Sequence, residues 1–168
     1  MVSTNDQELA KLVIMLLKHG GKDKYNVDHI GYNARLDTLQ AAVLLAKFKY
    51  VDEFNDRRKK IANLYNKGLK GLEGLTLPIG NSQAPTVLNH HVFHQYTLII
   101  DGADDPETYR NGLNLFLAEN KIPSMIYYPV PGHKQKMFEQ FNVAAKPMPV
   151  TDWLAQRVIS LPMHTELD

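Results

Sequence analysis

The sequence contains no cysteine, so disulfide bonds, thiol nucleophiles and thiolate metal ligands are excluded. No apolar run approaches the roughly 20 residues that a membrane-spanning helix needs, and the sequence predicts no membrane contact. The first residues, MVSTNDQELAKL, lack the basic and then apolar order of a secretory signal. We therefore expect a cytoplasmic protein.

An excess of charge of either sign is also missing. The 19 Lys and Arg residues nearly balance the 18 Asp and Glu residues, which gives a net charge of +1 with neutral histidines. Such a chain has no long-range field to attract nucleic acid. Residues 47–70 are locally basic, but no stacking aromatic residues accompany the charges. A solvated helix face is the preferred interpretation, with phosphate binding as the minor alternative.

Apolar residues make up 44% of the 168 residues, which is enough for a globular core. Asn5 and Glu8 have the spacing of a capping box, so a first helix is expected from there to Gly20. Residues 22–35 show no periodicity and predict a loop. A 3.6-residue apolar period then predicts one long helix over 37–67.

The second half of the chain alternates between strand and helix signals. Strands are expected at residues 92–100, 122–129 and 158–162, and helices after Pro106 and from Thr151. On the helix after Pro106, the predicted buried face consists of Tyr109, Leu113, Phe116 and Leu117. The fold class predicted is α/β, of the α+β small-domain type: a long N-terminal helical arm and a sheet of about three strands flanked by helices.

This pattern divides the chain into three parts. Residues 1–35 form a helix and a connecting loop, residues 36–75 form the long helix, and residues 76–168 form the small α/β domain. A 30-residue helix is roughly 45 Å long, which exceeds the width of a small sheet. We therefore expect part of its apolar face to contact another domain or chain.

Three histidines, His90, His91 and His94, could be considered as metal ligands. A metal site needs further ligands in a defined geometry, and neither cysteines nor an obvious acidic partner accompany them. No metal site is predicted.

Two polar segments are better candidates for a functional site. Asn33 and Arg35 stand at the entrance of the long helix, where an amide and a guanidinium can hold a phosphate or carboxylate group. Tyr127, Tyr128 and His133 belong to a proline-rich segment after a predicted strand, and their hydroxyls and imidazole suit a polar ligand. The structural alternatives are a turn asparagine, a surface arginine and core packing of one tyrosine.

These segments, in their order and spacing, resemble the C-terminal part of the sugar aminotransferases of the DegT/DnrJ/EryC1/StrS family. The resemblance extends over nearly the whole chain. Its motifs are GYNARLDTLQAA at residues 31–42, RRKKIANLY at 57–65, QYT at 95–97, IPSMIYYPVPGHKQ at 122–135 and SLPMH at 160–164.

The resemblance implies a fold-type I enzyme that depends on pyridoxal phosphate (PLP). It implies transfer of an amino group from glutamate to a nucleotide-linked keto-sugar, in polysaccharide or amino-sugar biosynthesis, by a homodimer. By the same resemblance, Asn33 contacts the PLP phosphate of the neighbouring subunit and Arg35 lies near the substrate or phosphate. Tyr127, Tyr128 and His133 border the nucleotide-sugar pocket, with Tyr127 where the family commonly has a histidine.

Members of this family link PLP to a lysine within a motif rich in serine and phenylalanine, in a large domain upstream. No such motif occurs in the sequence, so no catalytic residue is assigned in this chain. We expect a C-terminal fragment that lacks its large domain, does not bind PLP and does not transaminate alone. The alternative is a non-catalytic binding or interaction module that retains the small-domain scaffold.

Overall fold

A computed structural model describes residues 2–23, 25–78, 91–141 and 147–167. The chain forms two compact units, Met1–Tyr50 and Val51–Asp168. None of the helices within the described ranges is long and apolar enough to cross a membrane.

The first unit begins with helix α1, Gln7–Leu16. Its cap is Asp6, whose carboxylate accepts hydrogen bonds from the backbone N–H groups of Glu8 and Leu9, so the predicted cap at Asn5 is wrong by one residue. An aspartate at this position also carries the charge that the positive end of the helix dipole favours. After the helix the chain adopts positive φ at His19 and at Gly20, where φ is 83°.

The single helix predicted over 37–67 is two helices in the structure: α2, Thr38–Phe48, and α3, Val51–Leu69. Between them the Tyr50 N–H bonds to the Lys47 carbonyl over 3.0 Å, one residue closer along the chain than an α-helical bond. The apolar period continues across this turn, so periodicity alone did not reveal it.

The second unit contains α3 and a three-stranded antiparallel sheet in the order β1-β2-β3. Its strands are β1, Leu75–Thr76, β2, Tyr96–Ile100, and β3, Val158–Leu161. Helix α4, Pro106–Glu119, follows β2, and helix α5, Pro149–Ala155, precedes β3. Two 3₁₀ helices, Gly132–Lys134 and Lys136–Phe141, lie between α4 and α5.

The sheet differs from the prediction in which segments form it. Residues 122–129 do not form a strand, because only Met125 pairs there, in an isolated bridge with Ser160. Pro123 and Pro129 lie within this segment and have no backbone N–H group, which limits the ladder of hydrogen bonds it could form. β2 also begins at Tyr96 rather than Val92. The sheet in the described residues nevertheless has three strands, because β1, which was not predicted, belongs to it in place of residues 122–129.

The core lies on one face of β2 and β3. Tyr96, Leu98 and Ile100 alternate inward along β2 and meet Ile159 of β3 and Ala62 of α3. The Tyr96 hydroxyl donates to Asn66 Oδ1 over 2.6 Å, which satisfies the polar end of a fully buried ring. Burial raises the pKa of Tyr96 to about 12.

Two of the four residues predicted to form the buried face of α4 pack against the core. Leu113 and Leu117 pack against the core, whereas Tyr109 and Phe116 are largely exposed. Arg110 is buried instead, and its guanidinium donates to the Ala155 carbonyl over 2.8 Å and contacts Glu107 at 3.5 Å. Burial lowers the pKa of Arg110. Arg110 therefore links α4 to the end of α5 through its hydrogen bond to Ala155. The apolar pattern of the sequence did not indicate this link.

Replacement of a core leucine tests this packing. Leu98→Ala removes a side chain that is 3% exposed, and we expect it to lower the free energy of unfolding by about 2–5 kcal/mol. Leu115→Ala on α4, where the side chain is 66% exposed, should change it by less than about 0.5 kcal/mol. Urea unfolding followed by circular dichroism measures both, and equal effects would contradict the assigned core.

Candidate functional site

The loop that carries Asn33 is held against the end of α1 by backbone hydrogen bonds. The Tyr32 N–H donates to the Leu16 carbonyl over 2.8 Å, and the Ala34 N–H donates to the Leu17 carbonyl over 3.1 Å. Asn33 itself forms an antiparallel bridge with Lys18. The position of Asn33 is therefore fixed by the main chain around it.

Two glycines allow this close approach. A Cβ atom on Gly31 would lie 2.2 Å from the Gly20 nitrogen, and one on Gly20 would lie 1.7 Å from the His29 carbonyl oxygen. Both distances are far below any contact between nonbonded atoms. Residues 20 and 31 must be glycine for the loop to lie where it does.

Asn33 and Arg35 lie side by side on this loop, and both are exposed. The Arg35 Nε donates to Asn33 Oδ1 over 3.3 Å, so one oxygen orients the guanidinium. The Asn33 Nδ2 and the terminal guanidinium nitrogens are all donors. Such a set of donors matches the oxygens of a phosphate or carboxylate group.

Arg35 also lines a cavity of about 390 Å³ with the basic residues Lys18 and Lys22. Lys22 forms an ion pair with Asp28, which raises the pKa of Lys22 and lowers that of Asp28. The lining also contains Asp23, and Lys22 is paired with Asp28, so the positive charge left on this side of the loop comes from Lys18 and Arg35.

The second polar segment lies in the other unit. The rings of Tyr127 and Tyr128 are 5.7 Å apart and 70° from parallel, and Tyr128 is largely exposed. They line a cavity of about 250 Å³ whose other residues are Pro131, Gly132, Thr151, Leu154, Ala155 and Val158. We call this space the tyrosine cavity. It lies between the 127–132 segment on one side and α5 with the start of β3 on the other.

His133 lies beside this cavity but is buried, with a side chain that is 3% exposed. Its Nε2 is 3.2 Å from Asp152 Oδ1, and Lys134 Nζ is 2.7 Å from the same oxygen. The close contact with Lys134 is the largest influence that lowers the pKa of Asp152.

Sequence reasoning did not identify Asp152. An acidic residue in the first turn of a helix is explained by the helix dipole alone, so nothing in its local sequence indicated a histidine partner. The structure brings Asn33 and Arg35 together in the first unit, and Tyr127, Tyr128 and His133 together in the second. This geometry does not test whether any of these five residues contacts its predicted ligand.

Of the three histidines considered as metal ligands, only His91 and His94 are within the described residues. His90 lies outside the described residues. Within the ranges that the structure describes, no group of three or more histidine, aspartate or glutamate side chains could hold a metal ion.

Comparison with known proteins identifies the family. The model of the DegT/DnrJ/EryC1/StrS aminotransferase family matches residues 1–168. The chain belongs to this family. The resemblance predicted from the motifs is confirmed, and with it the dependence of the family on PLP.

Curated relatives match almost the whole chain. A UDP-N-acetyl-3-dehydro-α-D-glucosamine 3-aminotransferase of Acidithiobacillus ferrooxidans is 42% identical over 99% of this chain and 41% of its own length. A UDP-2-acetamido-2-deoxy-3-oxo-D-glucuronate aminotransferase of Pseudomonas aeruginosa is 36% identical, over 99% of this chain and 42% of its own length. The chain thus spans about two fifths of the curated relatives it matches.

Solved structures confirm the predicted fold class. A DegT/DnrJ/EryC1/StrS aminotransferase from Brucella abortus superposes with a TM-score of 0.75 at 37% identity, over 98% of this chain and 41% of that one. NtdA from Bacillus subtilis, with the bound cofactor PMP, superposes with a TM-score of 0.79 at 27% identity. That match covers 97% of this chain and 37% of NtdA.

The close approach of Gly31 to Gly20 predicts different effects for two glycine-to-alanine substitutions, one in this loop and one in α3. Gly31→Ala should displace the loop, so the backbone amides of Tyr32 and Ala34 should lose protection from hydrogen exchange, because their acceptors lie at the end of α1. Gly68→Ala in α3 has no atom within 4 Å of the new Cβ and should raise helix stability by roughly 0.5–1 kcal/mol. Unchanged protection of both amides in Gly31→Ala would contradict the assigned contact.

Proposed function

We propose that this chain forms the small-domain part of a PLP-dependent aminotransferase that acts on a nucleotide-linked keto-sugar with glutamate as amino donor. The role would lie in polysaccharide or amino-sugar biosynthesis. The family match over residues 1–168 supports the reaction class, and the names of the relatives support the class of substrate. The main structural support is the adjacent pair of Asn33 and Arg35, on a loop held in place by backbone hydrogen bonds.

Asn33 is proposed to donate a hydrogen bond from Nδ2 to the phosphate of PLP bound in the partner subunit of a homodimer. Its Oδ1 accepts from Arg35, so the amide is held with Nδ2 available for another acceptor. Arg35 is proposed to contribute positive charge near the same phosphate or the substrate. Both residues would bind and orient, and neither would move a proton.

PLP, when bound, supplies the electron withdrawal that loosens the proton on the carbon bearing the amino group. The lysine that holds PLP is proposed to come from a different segment of the enzyme. On this view the 168 residues alone do not bind PLP stoichiometrically and do not transaminate.

The tyrosine cavity is proposed to border the nucleotide-sugar. The hydroxyls of Tyr127 and Tyr128 can each donate and accept, as sugar hydroxyls require, and their rings can pack against a sugar face. His133 is proposed to take part in substrate binding from the same segment. Because the His133 side chain is buried, it would act on the substrate indirectly, through the neighbouring Gly132, which lines the cavity.

The apolar surface of the first unit is proposed to pack against the large domain and the partner subunit. Helices α1 and α2 contain no buried residue, and Leu39, Leu45 and Phe48 of α2 are largely exposed. A surface of this kind is unfavourable in water and is typical of an interface between domains or subunits.

A chimeric enzyme tests the proposed function. Residues 1–168 would replace the matching part of the Acidithiobacillus ferrooxidans relative, and glutamate-dependent amination of a UDP-linked 3-keto-sugar would be measured. We expect the chimera to be active. Asn33→Ala within it should raise the Kd for PLP about 10- to 100-fold, because a hydrogen bond to a charged group contributes about 1.5–3 kcal/mol.

The matched control is Asn120→Ala, which removes an exposed amide whose Nδ2 donates to the Phe116 carbonyl near the end of α4. Its PLP affinity should equal that of the unmodified chimera. A folded chimera without activity would contradict the reaction class, and an Asn33→Ala chimera with unchanged PLP affinity would contradict the role of Asn33.

A further inference from the structure

The lining of the tyrosine cavity consists of hydroxyl-bearing and apolar residues. Tyr127, Tyr128 and Thr151 carry the hydroxyls, and none of the three hydroxyls is hydrogen-bonded to another group in the described part of the chain. All three can therefore donate to and accept from a ligand. The remaining lining residues have no polar side chain: Pro131, Gly132, Leu154, Ala155 and Val158.

The cavity also lacks charge. None of the described residues that line it has a charged side chain. The cations nearest along the chain follow Gly132, and both face a carboxylate: Lys134 Nζ is 2.7 Å from Asp152 Oδ1, and His133 Nε2 is 3.2 Å from the same atom. The positive charge of Lys134 is thus offset by Asp152, and the His133 side chain is buried.

The size of the cavity favours a single sugar unit. Its volume of about 250 Å³ lies below the roughly 300–1,000 Å³ of pockets that enclose a whole drug-sized ligand. A nucleotide and a sugar together exceed this space. One sugar ring has hydroxyls that match the three hydroxyls of the lining and C–H groups that match its apolar residues.

A carboxylate on that sugar would lose its hydration in the cavity and gain no cation in return. Placing an unpaired ion among apolar and neutral groups is strongly unfavourable. A hydroxymethyl group in the same position needs only neutral hydrogen-bonding partners, which the lining has. The substrates named for two relatives differ in this group, because the glucosamine derivative has a hydroxymethyl group where the glucuronate has a carboxylate.

We propose that the tyrosine cavity is a specificity site that accepts an uncharged sugar and disfavours a uronate, a sugar with a carboxylate. The identity of the ligand as the sugar part of a nucleotide-linked sugar rests on the proposed function. The new inference is the class of sugar. Tyr127, Tyr128 and Thr151 hydrogen-bond the sugar, and the uncharged lining sets the preference.

Nuclear magnetic resonance of the ¹⁵N-labelled 168-residue chain tests this preference without cofactor or catalysis. The probes are methyl α-D-glucoside and methyl α-D-glucuronide, which differ only in the carboxylate. The glucoside should shift the amide signals of Gly132 and Ala155, which line the cavity. Its Kd should be lower than that of the glucuronide by about tenfold or more, because only the glucuronide brings an unpaired charge.

Two substitutions at one position separate charge from size. Thr151→Lys adds a cation to the lining and should bring the Kd for the glucuronide down to that of the glucoside or below it. Thr151→Gln is the matched control, because it adds a long neutral side chain and should keep the preference for the glucoside. Thr151 is exposed on α5, so the fold has room for both side chains.

A third substitution tests the hydroxyls. Tyr127→Phe should raise the Kd for the glucoside about 2- to 10-fold, as expected for the loss of one neutral hydrogen bond. Tyr109→Phe is its control, because Tyr109 is exposed on α4 and does not line the tyrosine cavity. Its Kd should equal that of the unmodified chain.

Three results of the titrations would overturn the proposal. They are equal or tighter binding of the glucuronide by the unmodified chain, no shift of the Gly132 and Ala155 amides with either glycoside, and the same preference in Thr151→Lys as in Thr151→Gln. The first two need no variant to fold.

A second chimera separates this inference from the proposed function. Residues 1–168 would replace the matching part of the Pseudomonas aeruginosa relative, whose named substrate is a uronate. The ratio of kcat/KM for that substrate to kcat/KM for its uncharged counterpart should fall about tenfold or more from the ratio of the unmodified relative. An unchanged ratio would overturn the inference and leave the aminotransferase assignment intact. A folded chimera inactive with both sugars would contradict the proposed function, and the titrations then decide the inference.

Discussion

The pairing of β2 on both of its edges is the interaction on which the second unit depends. β2 carries Tyr96, Leu98 and Ile100 into the core, and its register with β3 sets Thr97 opposite Ser160. Ser160 in turn exchanges two backbone hydrogen bonds with Met125, 2.7 and 3.0 Å long. This bridge ends two residues before Tyr127, so the tyrosine cavity is positioned by a short hydrogen-bonded path from the central strand.

The first unit is held in a different way. Helices α1 and α2 bury no residue, and the loop between them is held by backbone hydrogen bonds to the end of α1, which the close approach of Gly20 and Gly31 allows. Such a contact gives Asn33 and Arg35 a definite place without a local core. Leu39, Leu45 and Phe48 of α2, in the same unit, remain exposed.

The sequence was informative where local chemistry decides the outcome. Pro106, the glycines after α1 and the alternation along β2 predicted their elements, and the motifs predicted the family. Long-range partners were not predictable: the buried Arg110, the Met125–Ser160 bridge and the Asp152–His133 contact join residues that are 19 or more positions apart and have no shared pattern. The turn at Tyr50 was missed because the apolar period is the same on both sides of it.

The central claim is that this chain contributes only part of a PLP site. The most direct test is a titration of the purified 168 residues with PLP, followed by borohydride reduction and mass mapping of the lysines. The account predicts no stoichiometric modification of any single lysine. One lysine modified at one equivalent of PLP would contradict it, because the chain would then hold the cofactor with its own residues.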